Sequence, residues 1–132
     1  MQDIKKLASD CASVADFLLV YVAEAHAADE WPVGNPIQYN QPKTIDERLA
    51  IAREFVAKYE IMDAGIPLVV DDLAGGTSQN RDPFEDNPVD TAYAIWPTRW
   101  YVVQGGVVRF KAQPDSAHEY RLESLRNFLR EC

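Results

Sequence analysis

Four side chains able to bind a ligand or move a proton follow an apolar run near the start of the chain. Residues 17–22 are almost entirely apolar, and Glu24, His26, Asp29 and Trp31 come directly after them. Ligands of α/β proteins settle beyond the carboxyl ends of strands, where such side chains would meet. Because an imidazole titrates near neutral pH, the pattern predicts ligand binding or proton transfer at His26.

Glu24 lies two residues before His26, which is the spacing that places two side chains on one face of a strand. If the strand continued that far, the Glu24 carboxylate could orient His26 and raise its pKa. There are simpler alternatives. His26 would then only end the strand and bond to backbone, and Glu24 would be a solvated residue at a strand end.

The composition limits the classes of partner. A chain of 132 residues suits one domain, spanning residues 1–132. The formal net charge of -8 argues against binding nucleic acid or an anionic membrane surface, both of which require a basic face. No apolar run approaches the roughly 18–20 residues that cross a bilayer, and the first residues do not resemble a signal peptide. We therefore expect a soluble, cytoplasmic chain, although a longer form could carry a membrane anchor.

The two cysteines, Cys11 and Cys132, form no CxxC pair and no metal-ligand spacing. We expect two free thiols, no bound metal and no bound cofactor, with a disulfide as the alternative. Cys11 lies on the apolar stripe of a predicted helix, where a thiol behaves as a small buried hydrophobe and a poor nucleophile.

Hydrophobic periodicity and turn residues predict eight elements and one long loop. In order, these are a helix over 1–14, a parallel strand over 17–22, a helix beginning with the capping box Thr44–Glu47, a strand over 66–70, a loop over 74–88, a short helix over 89–95, a hairpin of strands 100–103 and 107–110, and a helix over 116–130. This order predicts an α/β fold, with a central mixed sheet and helices on both faces.

The chain resembles the iodothyronine deiodinases over most of its length, from about residue 17 to residue 129. The signature segment is VYVAEAHAADEW at 20–31, and a later strand segment is AYAIWPTRWYVVQGG at 92–106. Between them, TIDERLAIAR at 44–53 and LVVDD at 68–72 occur in the family's order. Several ordered blocks are more specific than one short motif.

The resemblance implies a thioredoxin-like fold whose first strand is missing. In that family a selenocysteine nucleophile stands directly before the first helix, and this chain opens inside that helix. Selenocysteine is encoded by UGA, which is normally a stop codon. A reading frame begun at the next methionine after such a codon would explain the truncation. The resemblance also implies that Pro97 is a cis-proline facing the redox residue.

The resemblance further implies a reductive deiodinase acting on iodothyronines such as thyroxine, with an external thiol as reductant. His26 matches the family histidine that holds the substrate phenol or carries a proton, with Glu24 as a second catalytic candidate. Arg99 matches an arginine that clamps the substrate carboxylate, and its alternative is a surface salt bridge. The resemblance leaves a homodimer open. The rival functions are a general thioredoxin- or peroxiredoxin-like thiol or selenol oxidoreductase, and a non-catalytic ligand-binding remnant.

Overall fold

A computed structural model describes residues 1–34, 39–73, 87–95, 98–112 and 122–132. These residues form a mixed α/β arrangement of short elements. The helices are α1 (Gln2–Asp10), α2 (Ile45–Tyr59), α3 (Pro88–Tyr93) and α4 (Leu122–Arg130), with a 3-10 turn at Met62–Ala64. The strands are β1 (Leu19–Tyr21), β2 (Leu68–Val70), β3 (Tyr101–Gln104) and β4 (Val107–Lys111).

The strands pair in two ways. β1 and β2 are parallel, with Leu19 opposite Leu68 and Tyr21 opposite Val70, which confirms the predicted parallel strand. β3 and β4 are antiparallel. Across the described ranges these are two separate two-stranded sheets, so the single central mixed sheet that the element order predicted is not seen there.

The predicted elements are present, but several boundaries were wrong. α1 ends at Asp10 rather than at residue 14, because Cys11 already leaves helical geometry and Val14 is exposed. The strand predicted over 17–22 pairs with β2 only over Leu19–Tyr21. Pro97, most of the predicted loop over 74–88 and the start of the last predicted helix lie outside the described residues.

The capping box predicted at the start of α2 is confirmed. The Thr44 hydroxyl accepts the Glu47 N–H at 3.2 Å, and the Glu47 carboxylate accepts the Thr44 N–H at 3.2 Å. The reciprocal bonds satisfy donors that a helix start leaves without partners. They fix where α2 begins, and so which of its side chains face β2.

The hairpin predicted at residues 104–106 is also confirmed. Gly105 and Gly106 both have positive φ, 59° and 76°, and Gln104 pairs with Val107 across the turn. A two-residue turn of this hand matches the twist of paired strands, and glycine adopts it without steric cost.

Helix α1 separates two small apolar clusters. Ile4 and Ala8 pack with Ile61 and Ile66 on one side. On the other side, Leu7 and Cys11 pack with Leu125 and Leu129 of α4. Phe17 and Trp100 touch both clusters. Since burying one large aliphatic side chain contributes about 1.5–3 kcal/mol, these contacts hold the ends of the chain against the middle.

Candidate functional site

Polar side chains gather at the carboxyl ends of β1 and β2. The parallel register brings Tyr21 and Val70 side by side, and the Asp71 N–H extends the pairing by donating to the Tyr21 carbonyl at 2.8 Å. Glu24 follows β1 by three residues, and Asp71 follows β2 directly. Glu24, which was a predicted site residue, and Asp71, which was not, therefore lie at one edge of this sheet, where α/β proteins place their sites.

The predicted shared strand face of Glu24 and His26 is wrong. β1 ends at Tyr21, so the alternation of a strand does not reach either residue, and His26 lies in a turn. His26 is exposed, and its Nδ1 lies 3.2 Å from the Trp31 carbonyl oxygen. Because a carbonyl only accepts, this hydrogen bond puts the hydrogen on Nδ1 and makes Nε2 the acceptor of the neutral ring.

His26 also pairs with the side chain of Trp31. The two rings meet edge to face, with centroids 5.1 Å apart and an interplanar angle of 64°. Trp31 is 61% exposed. The exposed indole and imidazole rings together offer an aromatic face and a polar nitrogen to an aromatic ligand. The structure thus shows the hydrogen bond from His26 to backbone that was the simpler alternative, together with an exposed aromatic surface.

Gln41 holds the segment that carries Glu24, and no sequence pattern predicted this role. The Gln41 side chain accepts the Glu24 N–H at 2.9 Å and donates to the Glu24 carbonyl at 3.0 Å. Its own N–H donates to Asp29 Oδ1 at 2.8 Å. Gln41 is only 6% exposed, so these bonds are shielded from water and fix the backbone beyond β1.

The Glu24 side chain is partly buried, which excludes the alternative of a solvated strand end. Its Oε1 is buried and has no hydrogen-bond partner among the described residues. Burial raises the pKa of Glu24 above its ordinary value, and the Arg48 guanidinium opposes that shift. A carboxyl kept closer to its neutral form can hold a proton nearer to physiological pH.

Arg48 is the largest fully buried side chain of the described chain, and no sequence pattern predicted its burial. It lies on α2, and its Nη1 donates to the Asp71 carbonyl at 2.8 Å and to the side-chain carbonyl of Asn87. Burial lowers the pKa of Arg48, and nearby acids, Asp71 first, oppose that shift. Arg48 therefore ties α2 to the end of β2 and to the start of α3.

Asp71 caps α3 from the end of β2. Its carboxylate accepts the N–H of Val89 at 3.0 and 3.1 Å and that of Asp90 at 3.0 Å. Asn87 is the N-cap residue but makes no side-chain cap bond, because its amide oxygen serves Arg48. A distant acid thus replaces the usual local cap, and α3 is attached to the same sheet edge as Glu24.

Arg99 lies two residues before β3 and is half-buried. Its Nε donates to the carbonyl of Ala94, the residue that ends α3, at 3.0 Å. Ala94 has a left-handed conformation, with φ 49°, which turns the chain back at this point. The guanidinium is therefore positioned by α3, which Asp71 and Arg48 fasten in turn.

The two cysteines are free thiols, as predicted. Cys11 is 6% exposed and packs in the cluster of Leu7 and Leu125. Cys132 is exposed, and its Sγ contacts the Phe128 carbonyl at 3.4 Å. Neither thiol contacts the polar residues of the sheet edge in any described interaction.

An open apolar groove of about 560 Å³ lies elsewhere, between α2 and β2. It is lined by Leu49, Val56 and Leu68–Val70 among others, and not by Glu24, His26 or Arg99. Within the described ranges no cluster of three histidine, cysteine or acidic side chains is arranged to hold a metal ion. No helix among the same residues has the length and apolarity needed to cross a bilayer.

Together, these features define an α/β protein with a partly buried acid at a sheet edge, an exposed histidine shortly after β1 and an arginine shortly before β3. The family model for iodothyronine deiodinase matches residues 1–132, the whole chain. The chain belongs to the iodothyronine deiodinase family, which confirms the resemblance seen in its sequence.

Individual relatives agree with the family match. The chain is 30% identical over 111 residues to a type I iodothyronine deiodinase of Xenopus laevis, covering 84% of this chain and 38% of that protein. It is 31% identical over 134 residues to a thyroxine 5-deiodinase of Gallus gallus, covering 98% and 44%. A type II iodothyronine deiodinase of Petromyzon marinus is 28% identical over 123 residues, covering 93% and 38%. The chain thus spans about two fifths of the length of the curated relatives it matches.

Proposed function

We propose that this chain is the ligand-binding and proton-handling part of an oxidoreductase that removes iodide from iodothyronines such as thyroxine. The observation that carries the proposal is the match of the iodothyronine deiodinase model to residues 1–132. The exposed ring pair of His26 and Trp31 supports it, since an iodinated phenol is a flat aromatic ligand with one polar end.

In the proposed reaction an aryl carbon–iodine bond becomes a carbon–hydrogen bond. Two thiols of an external reductant become a disulfide and give up two electrons and two protons. Both electrons and one proton account for the new carbon–hydrogen bond and the departing iodide, and the second proton is released to solvent. His26 would hold the phenol oxygen or supply the proton, and Glu24 would hold a proton behind it. Arg99 would bind the carboxylate of the amino-acid end, because a guanidinium can donate two parallel hydrogen bonds to it.

The proposal does not assign the reactive chalcogen to either cysteine of this chain. Cys11 is buried in an apolar cluster, where a thiol resists ionisation. Cys132 lies beyond α4 and contacts only the Phe128 carbonyl in the described interactions. The selenol or thiol that attacks the carbon-bound iodine would therefore be supplied from outside these 132 residues.

The proposed architecture is a single thioredoxin-like domain over residues 1–132. The parallel β1–β2 pair flanks α2 in sequence, and the antiparallel β3–β4 hairpin precedes α4. This alternation of strands and helices suits a mixed α/β domain with helices packed on its sheets. Trp100, just before β3, packs against α1 residues that also contact the region of β1, which supports one shared core.

Thyroxine binding to the 132-residue chain tests the ligand assignment. We expect His26→Ala and Arg99→Ala each to weaken binding, measured by calorimetry, about tenfold, which corresponds to about 1.4 kcal/mol. Arg109→Ala, an exposed arginine on β4, is the matched control and should leave the affinity unchanged. With a thyroxine analogue whose carboxylate is amidated, Arg99→Ala should have no effect, whereas His26→Ala should still weaken binding. Equal affinities for all three variants would contradict the proposed clamp.

Iodide release separates the catalytic roles. The 132-residue chain with thyroxine and dithiothreitol should release no iodide, and substantial turnover would contradict a nucleophile supplied from elsewhere. If the chain bound no thyronine at all, the general thiol or selenol oxidoreductase would be the better assignment. Competition between hydrogen peroxide and thyroxine, on a longer protein that carries the nucleophile, would then decide between the two substrates.

A further inference from the structure

Within the described part of the chain, the buried guanidinium of Arg48 uses only part of its hydrogen-bonding capacity. Nη1 serves the Asp71 carbonyl and the Asn87 side chain. Nε and Nη2 are buried and make no hydrogen bond to the described residues. Leaving donors of a buried cation without partners is costly, so this edge of the guanidinium is suited to an acceptor that arrives in another state of the site.

Glu24 has a buried acceptor atom that lacks a donor among the described residues. Its backbone is fixed on both sides by Gln41, but its Oε1 is buried and lacks a partner among the described residues. Among the described residues, the Arg48 guanidinium opposes the rise that burial causes in the pKa of Glu24. The Nε and Nη2 edge of an arginine has the geometry that binds a carboxylate through two parallel hydrogen bonds.

The other acids near Arg48 already have partners. Besides Glu24, the described acids that oppose the lowering of the Arg48 pKa are Asp71, Asp72 and Asp90. The Asp71 carboxylate accepts two N–H groups of α3, Asp72 accepts the N–H of Leu73, and Asp90 accepts the N–H of Ile95. Among these four acids, Glu24 alone has a buried oxygen without a partner in the described chain.

We propose that Arg48 is a positioning residue for Glu24, whose carboxylate its Nε and Nη2 edge binds, directly or through one water, whenever Glu24 loses its proton. While Glu24 is protonated, its neutral carboxyl stays in the observed position. When the proton passes to a base in the ligand site, the carboxylate that is left meets a cation already in place. The direction of that proton transfer rests on the proposed function, but the pairing of the two side chains does not.

The pairing can be followed by NMR on the 132-residue chain without any ligand. The Arg48 15Nε resonance should shift with pH at the same midpoint as the Glu24 carboxyl 13C resonance. Glu24→Gln, which keeps the shape of the side chain, should abolish that step. Glu54→Gln removes an exposed acid of α2 and is the matched control that should leave the step intact. Steps due to Asp71, Asp72 or Asp90 would persist in Glu24→Gln and are separated in this way.

Substitution of Arg48 gives the reciprocal result. Arg48→Met should raise the pH midpoint of the Glu24 titration by about one pH unit. Arg48→Lys should raise it less, because lysine keeps the charge but cannot donate two parallel hydrogen bonds to the carboxylate. If Arg48→Met does not fold, the Glu24→Gln comparison decides alone. An Arg48 resonance that ignores the Glu24 midpoint would overturn the proposal. Because no thyronine is used, failure of thyroxine binding and failure of this pairing are distinguishable.

Discussion

Replacing Asp71 with alanine should detach α3 from the sheet edge. The Asp71 carboxylate accepts two backbone N–H groups at 3.0–3.1 Å while only 2% exposed. A hydrogen bond to a charged acceptor contributes about 1.5–3 kcal/mol, so two contribute about 3–6 kcal/mol before water enters the gap. We expect a loss near the lower end, about 3–4 kcal/mol, because the vacated space can admit solvent.

That loss is large compared with the total free energy of unfolding. Domains of this size unfold at a cost of about 5–15 kcal/mol, so Asp71→Ala should shift the urea midpoint strongly. Asp71→Asn keeps one acceptor oxygen but loses the charge, and should cost about 1–2 kcal/mol. Tryptophan fluorescence gives the midpoint, since the chain has three tryptophans and Trp100 packs in the core.

Asp72→Ala is the matched control. Its exposed carboxylate accepts only the neighbouring Leu73 N–H in the described contacts, and the carbonyl that serves Arg48 is retained. A surface change of this kind should stay within about 0.5 kcal/mol of the parent chain. If Asp71→Ala and Asp72→Ala unfolded at the same urea concentration, the idea that Asp71 fastens α3 would be refuted.

Three further predictions concern helix ends and one ion pair. Thr44→Ala should lower the free energy of unfolding by about 1 kcal/mol in a urea titration, whereas Thr44→Ser should not. Glu60→Gly should raise it by about 0.5–1 kcal/mol, because Glu60 ends α2 with φ 51°. Hydrogen bonds from Arg126 and then Lys6 lower the pKa of Asp10. The Asp10 carboxylate therefore contributes its full stabilisation at pH values above its ordinary pKa of about 3.8. That stabilisation is lost as the pH falls through the lowered pKa of the folded state.

Each of these three has an outcome that contradicts it. Equal midpoints for Thr44→Ala and Thr44→Ser would show that the capping bond contributes nothing. A destabilised Glu60→Gly would mean that the 3.7 Å contact with Lys5 outweighs the relief at the backbone. For Asp10→Asn, the difference from the parent in melting temperature should vanish at low pH and shrink in high salt, and a difference independent of pH would exclude the ion pair as its cause.

Local patterns were enough to predict most elements. The capping box at Thr44 and the glycine pair at 105–106 specify a helix start and a turn through short-range hydrogen bonds and φ preferences, and both were found where expected. The end of β1 was not predictable in this way. An apolar run continues past Tyr21, and only the pairing with β2 decides where the ladder stops.

The candidate site was predicted only in part. Glu24, His26 and Arg99 were found through their residue types and the family resemblance, and their roles stay predictions. Arg48 was missed because a charged residue at a helical position normally faces solvent. Its burial depends on acceptors from Asp71 and Asn87, which are 23 and 39 residues away in sequence. No local pattern carries that information.

The left-handed conformation of Ala94 has a consequence for engineering. A residue with a β carbon in this region stores about 1 kcal/mol of backbone strain. Glycine at this position would release the strain and make the protein harder to unfold. It would also loosen the carbonyl that holds the Arg99 guanidinium at 3.0 Å. Resistance to unfolding and order of the Arg99 side chain therefore oppose each other at one peptide unit, which makes this turn a poor choice for thermostabilisation.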